Sequence, residues 1–98
     1  MMGQEKIFEV KLRKYFESKG AWVLKTWSNG IQRSGVPDLI ICYKGRFIAL
    51  EVKAPHGRAS ELQLWNLKKI SEAGGCARVI YPKDFETLKQ AVEELDND

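Results

Sequence analysis

Three residues with chemistry in them stand near the middle of the chain: Asp38, directly after Pro37, and then Glu51 and Lys53, two apart. Two apolar stretches follow Asp38, residues 39–43 and 46–53, separated by Lys44 and Gly45, and the second carries Glu51 and Lys53 at its end. Glycine supplies the positive φ that a two-residue hairpin turn demands. Such a turn sets Tyr43 opposite Arg46, Ile41 opposite Ile48 and Leu39 opposite Leu50, so Asp38 falls opposite Glu51. Directly opposed residues share a face, with Cβ atoms about 4.5–5.5 Å apart. Both carboxylates then point to one side, and Lys53, in phase with Glu51, joins them. Like charges so placed destabilise a sheet unless something compensates, and one ammonium is short measure for a cluster of acids. A hard divalent cation fits such a site, since magnesium takes one or two carboxylates together with waters and phosphate oxygens. Taken singly, Asp38 reads as the end of a loop and Glu51 with Lys53 as a solvated strand edge. Together on one face they mark a candidate catalytic centre.

The elements that must carry these residues follow from periodicity. Phe8, Leu12, Tyr15 and Phe16 recur at helical spacing over residues 5–19, and Gly20 follows where a helix would stop. Residues 21–27, rich in aromatic and branched side chains, predict a strand closed by Ser28, Asn29 and Gly30. After the hairpin, residues 54–59 contain Pro and Gly and cannot prolong the strand. Ser60 then opens a helix whose apolar positions Leu62, Leu64, Trp65, Leu67 and Ile70 run to Gly74 and Gly75. Residues 77–81 predict a short fourth strand broken by Pro82. Asp84 can cap a last helix carrying Phe85, Leu88, Val92 and Leu95. The expected order is αβββαβα, a mixed α/β single domain over residues 1–98, with the order of strands in the sheet left open.

Two polar side chains in the helices bear on the centre. Glu9 shares a stripe with Leu12 and Phe16, so it interrupts the face that should meet the sheet; it is either a third acid of the site or a boundary glutamate reaching water. Gln63 stands three residues after Ser60, a spacing that matches a capping box and accounts for the glutamine without any chemistry.

Composition narrows the class. Charged residues make up 30% and hydrophobic ones 44%, a globular rather than a disordered balance. No apolar run nears the roughly 20 residues that span a bilayer, and no signal or lipidation motif is visible, so a membrane is not an expected partner and the cell interior is the expected location. Cys42 and Cys76 lie in apolar runs and are expected as buried free thiols. With His56 the only histidine, no zinc site is expected and any metal is held by oxygens. Trp22, Trp27 and Trp65 are expected in the core or at an interface. The net charge of +3 decides nothing by itself.

The motif Gly35-Val36-Pro37-Asp38, followed by Glu51-Val52-Lys53 after a strand and by Ser60 and Gln63 opening the next helix, resembles that of the VRR-NUC family, the virus-type replication-repair nucleases of the PD-(D/E)XK superfamily. The resemblance covers nearly the whole chain. It implies a restriction-endonuclease-like αβββαβ core, here with an extra C-terminal helix, and a DNA endonuclease dependent on Mg2+ or Mn2+. By resemblance the metal is held by Asp38, Glu51 and the backbone carbonyl of Val52. Glu9, eleven residues before Gly20, stands where the family's first-helix acid is expected, and Gln63 matches a family glutamine near the catalytic lysine. Arg33, Lys53, His56 and Arg58 flank the site as candidate DNA contacts, although Arg33 and His56 are equally ordinary surface charges. Stand-alone relatives of this length imply a homodimer acting on branched DNA such as Holliday junctions, in a bacterial or phage-infected cell. A nuclease without branch preference, or a DNA-binding module that keeps the fold without turnover, are the rival readings.

Overall fold

The computed structural model describes residues 3–27 and 34–97. The elements follow the expected order: α1 (Gln4–Ser18), β1 (Trp22–Lys25), β2 (Leu39–Tyr43), β3 (Arg46–Val52), α2 (Glu61–Glu72), β4 (Cys76–Ile80) and α3 (Phe85–Asp96). The strands form one mixed sheet in the order β1-β2-β3-β4. The first three are antiparallel, and β4 returns parallel to β3 through α2. This is the restriction-endonuclease-like core with a C-terminal helix added.

The hairpin register is the predicted one, with Tyr43 paired to Arg46, Ile41 to Ile48 and Leu39 to Leu50. Lys44 (φ 51°) and Gly45 (φ 77°) both adopt the left-handed conformation of a tight two-residue turn. Alternation then sorts the side chains. Leu39, Ile41, Tyr43, Ile48, Leu50 and Val52 share one face and are all buried beneath α1 and α3. Phe8, Leu12 and Phe16 of α1 complete that core, and Phe85 of α3 meets Phe8 and Tyr15 edge to face. The far end of α3 is tied down by Asp96, which accepts a hydrogen bond from the Tyr43 hydroxyl and pairs with Lys19 at 2.6 Å and Lys44 at 3.2 Å. Those cationic and hydroxyl partners hold the Asp96 carboxyl far below the ordinary carboxylate range.

Several expectations need correction. β1 spans four residues; beyond the Lys25–Leu39 pair the Thr26 amide still donates to the Asp38 carbonyl, while its hydroxyl turns to the Pro37 carbonyl. Asp84 does not cap α3 with its side chain: residues Pro82–Asp84 form a 3-10 turn, and the carboxylate bends back to accept from the Tyr81 amide at 2.9 Å. Both cysteines are exposed free thiols. Cys42 shares a face with Phe47, whereas Cys76 is in register with Ile48 on the other face, so the sheet separates them. The tryptophans are not core residues: Trp22, Trp27 and Trp65 are 60%, 62% and 49% exposed. Among the described residues no helix is long and apolar enough to cross a membrane.

Candidate active site

The acids meet where β2 and β3 run out of ladder. Beyond the Leu39–Leu50 pair, the Val52 amide donates to the Asp38 carboxylate at 2.9 Å, so a side chain continues the pairing that the backbone has ended. The Asp38 carbonyl accepts from the Thr26 amide at 2.9 Å, and the Pro37 carbonyl from the Thr26 hydroxyl at 2.7 Å. Asp38 is thus fixed from both neighbouring strands. On the other flank of β3, the Lys53 amide donates to Ile80 at 3.0 Å and anchors the lysine to β4.

Glu51 is 2% exposed. Its Oε2 accepts from the Gln63 side-chain amide at 3.1 Å and lies 3.4 Å from the Lys53 ammonium, while its Oε1 is buried with no hydrogen-bond partner among the described residues. Burial, reinforced by the adjacent Asp38 carboxyl and only partly offset by Lys53, pushes the Glu51 pKa up to about 8. With Glu51 buried beside a half-buried acid and a half-buried ammonium, its Oε1 has nothing among the described residues to stabilise its charge. The donor set is all oxygen and fits a hard divalent cation.

Gln63 both caps α2 and contacts Glu51. Its backbone amide donates to Ser60 Oγ at 3.1 Å and its side-chain carbonyl accepts from the Ser60 amide at 2.8 Å, a complete capping box. The same carboxamide turns its NH2 to Glu51. The cap fixes which way the amide points, and so presents a donor to the acid.

Glu9 is buried at 3% exposure on the stripe expected of it, but its surroundings differ. Lys25 pairs with its Oε1, Arg13 Nε lies 3.1 Å from its Oε2, and Lys6 stands at 3.6 Å. Burial by itself would raise its pKa, yet the Lys25 contact and the charges of Arg13 and Lys6 outweigh burial and lower it. Glu9, Lys25, Asp38 and Val52, with Glu5 and Lys6, line a cavity of about 70 Å³. Asp38 therefore stands between the two glutamates, although among the described residues no three acidic, histidine or cysteine side chains gather tightly enough to cage a metal unaided.

Sequence reasoning missed three contributors. Lys25, which ends β1, and Thr26, just after it, carry the ion pair to Glu9 and the bonds that fix Asp38; only their position shortly before the motif hinted at it. Asn66, 3% exposed on α2, donates to the Leu62 carbonyl at 3.0 Å and reaches the Ser34 carbonyl at 3.4 Å, pinning the loop that leads to Asp38. That loop needs a glycine: Gly35 has φ +79°, and a Cβ there would lie 2.7 Å from Leu62 Cγ and 2.8 Å from Asn66 Nδ2. The polar residue within an apolar helix face was the available signal for Asn66.

His56 and Arg58 lie exposed in the turn after Lys53, where the Gly57 amide closes on the Ala54 carbonyl and the Tyr81 hydroxyl donates to the Gly57 carbonyl. Arg33 lies outside the described residues. Neither a groove of about 330 Å³ between α3 and the sheet near Leu50 and Leu88 nor one of about 630 Å³ beside Phe47 and Gly75 involves these side chains. Compared with known proteins, residues 4–84 match the model of the VRR-NUC domain. No curated protein matches the chain.

Proposed function

The chain belongs to the VRR-NUC family of nuclease domains, and from that premise we propose that it is a metal-dependent DNA endonuclease whose catalytic centre is Asp38, Glu51 and Lys53. The observation that carries this reading is the buried Glu51 carboxylate set beside the half-buried Asp38 and the Lys53 ammonium, its Oε1 without a hydrogen-bond partner among the described residues. Asp38 and Glu51, with the Val52 carbonyl and Glu9 nearby, are the groups to hold Mg2+ or Mn2+ against a scissile phosphate. A divalent ion bound there acidifies a water and balances charge developing on the phosphate. Lys53 orients the attacking water or stabilises that developing charge. Gln63 holds Glu51 in its orientation and supplies a donor to the water network. Glu9 shapes the neighbouring cavity. Arg33, Lys53, His56 and Arg58 contact the phosphate backbone, where neutralisation supplies most of the non-specific affinity.

The substrate proposed is branched DNA such as a Holliday junction, cut by a homodimer. Two active sites related by a two-fold axis can cleave two strands symmetrically, which one site on one protomer cannot do at once. Cleavage of sequence-matched linear, flap and four-way substrates, each with Mg2+ and with chelator, tests this. Metal-dependent paired cuts on the four-way substrate are expected. Equal cutting of all three removes the branch preference, and no cutting of any with metal present removes the enzymatic reading in favour of a binding module.

A further inference from the structure

The two faces of the sheet are unequally covered. Among the described residues α1 and α3 bury one face, whereas on the other α2 packs mainly over β4 and β3. The register sets two cross-strand rows on this second face: Trp22–Cys42–Phe47 and Leu24–Ile40–Ala49. Ala49, under α2, is fully buried, but Trp22, Leu24 and Phe47 are 60%, 42% and 47% exposed, and Cys42 is exposed as well. Beside these strands rises the flank of α2. Leu62 and Trp65, three apart on one helical face, are 46% and 49% exposed. Leu62 packs against Gly35 in the loop leading into β2, so this flank looks towards the bare strands.

Here we infer that a second copy of this chain seats on this surface, the α2 flank of each copy lying on the uncovered β1–β2 strands of the other about a two-fold axis. The inference deepens the homodimer reading proposed above, and rests on it. Area supports it. A wholly buried aromatic side chain removes about 150–250 Å² from water, so the three half-exposed aromatics with Leu24, Leu62 and Cys42 present roughly 500 Å² of apolar surface. That is near the upper end of the roughly 300–600 Å² patches on ordinary monomers. Doubled across a two-fold axis it reaches the order of 1,000 Å² that a specific interface requires. Chemistry selects the occupant. None of the six residues in the two rows is charged, whereas a surface for nucleic acid needs cations to neutralise phosphates. A projecting helix flank and a matching bare sheet on one protomer are complementary to each other, as a contact between identical copies requires. Both acids lie at the end of this same face, two residues beyond Ile40 and Ala49, and stay outside the area covered.

The test is the mass of the full chain in solution without metal or DNA, by light scattering on a sizing column, so that the outcome is independent of nuclease activity. A particle of twice 11.2 kDa is expected. Trp22→Glu and Phe47→Glu, on the sheet, and Trp65→Glu, on the helix, each weaken the dimer by at least about 30-fold, as loss of a central aromatic anchor does. Their circular dichroism stays that of the parent. Ile7→Glu, 52% exposed on α1 behind the opposite face, leaves the dimer intact. A monomeric parent at tens of micromolar overturns both this surface and the dimer reading. A dimer that survives all three glutamate substitutions overturns the surface alone.

Discussion

Glu51 and Glu9 are both glutamates, both nearly inaccessible to water and both close to Asp38, yet their environments drive them in opposite directions. Glu9 is surrounded by Lys25, Arg13 and Lys6 and is held ionised below the ordinary range. Glu51 is buried, faces another acid and has Lys53 alone as a cation among the described residues, so its pKa climbs to about 8. One acid comes with its own cations, and the other is left wanting one. The contrast separates an acid whose charge is neutralised within the free protein from one whose charge is left largely uncompensated. It also places Lys25 at the position where a second ion at Glu9 would have to compete.

The largest effect expected from disturbing this arrangement is at Lys53. Lys53→Ala removes the cation paired with Glu51, and cleavage should fall by at least about 10²-fold while DNA retention on a gel stays nearly unchanged. Cutting at the parent rate with metal present would sink the role given to Lys53. Next comes Gly35→Ala. With φ +79° and two side chains inside contact distance, it should cost about 2–3 kcal/mol and displace the loop bearing Asp38, which denaturant titration and residual cleavage both measure.

Smaller and opposite in sign are the two glutamine substitutions. The free-protein contribution of Glu51 favours folding below its ordinary pKa of about 4.5 and is lost as the pH rises to about 8. Glu51→Gln should therefore raise metal-free stability at pH 8, by about 1–2 kcal/mol or roughly 5–10 °C in Tm, and flatten that decline. Glu9 behaves inversely: its contribution is present above the ordinary carboxylate pKa and is lost as the pH falls below it. Glu9→Gln should lower stability at neutral pH by about 1–2 kcal/mol, the partly exposed Lys6 and Arg13 limiting the loss. Melting curves of the two variants from pH 4 to 9 compare them directly, and parallel curves would show that the two acids do not differ as described.

What could be read from the sequence was whatever local rules determine. Lys44-Gly45 fixed the hairpin register, and the register set Asp38 against Glu51, because a two-residue turn leaves one pairing. The stripe on α1 placed Glu9 correctly, but its three cations could not be foreseen in full: Lys25 comes from another element, and only Lys6 and Arg13 lie within a helical turn. Gln63 looked like a cap or a site residue because sequence spacing reports the backbone role and says nothing of where the carboxamide's second end points. The cysteines and tryptophans were misjudged for a related reason. An apolar run signals a strand, but whether a given face is covered depends on where α2 lies, and α2 stops short of β1 and β2. The strand order, fixed by long-range pairing, had no local signal.

The central claim is that the Asp38–Glu51 pair takes a divalent cation in exchange for the proton Glu51 holds. Titration of the full chain with Mn2+ or Mg2+ by calorimetry at pH 7, in buffers of different ionisation enthalpy, measures binding and proton release together. With Glu51 mostly protonated at that pH, binding should release close to one proton per ion, with Glu51→Gln releasing almost none and Asp38→Asn losing most of the affinity. Binding that proceeds unchanged in Asp38→Asn, or that releases no proton from the parent protein, would contradict the account.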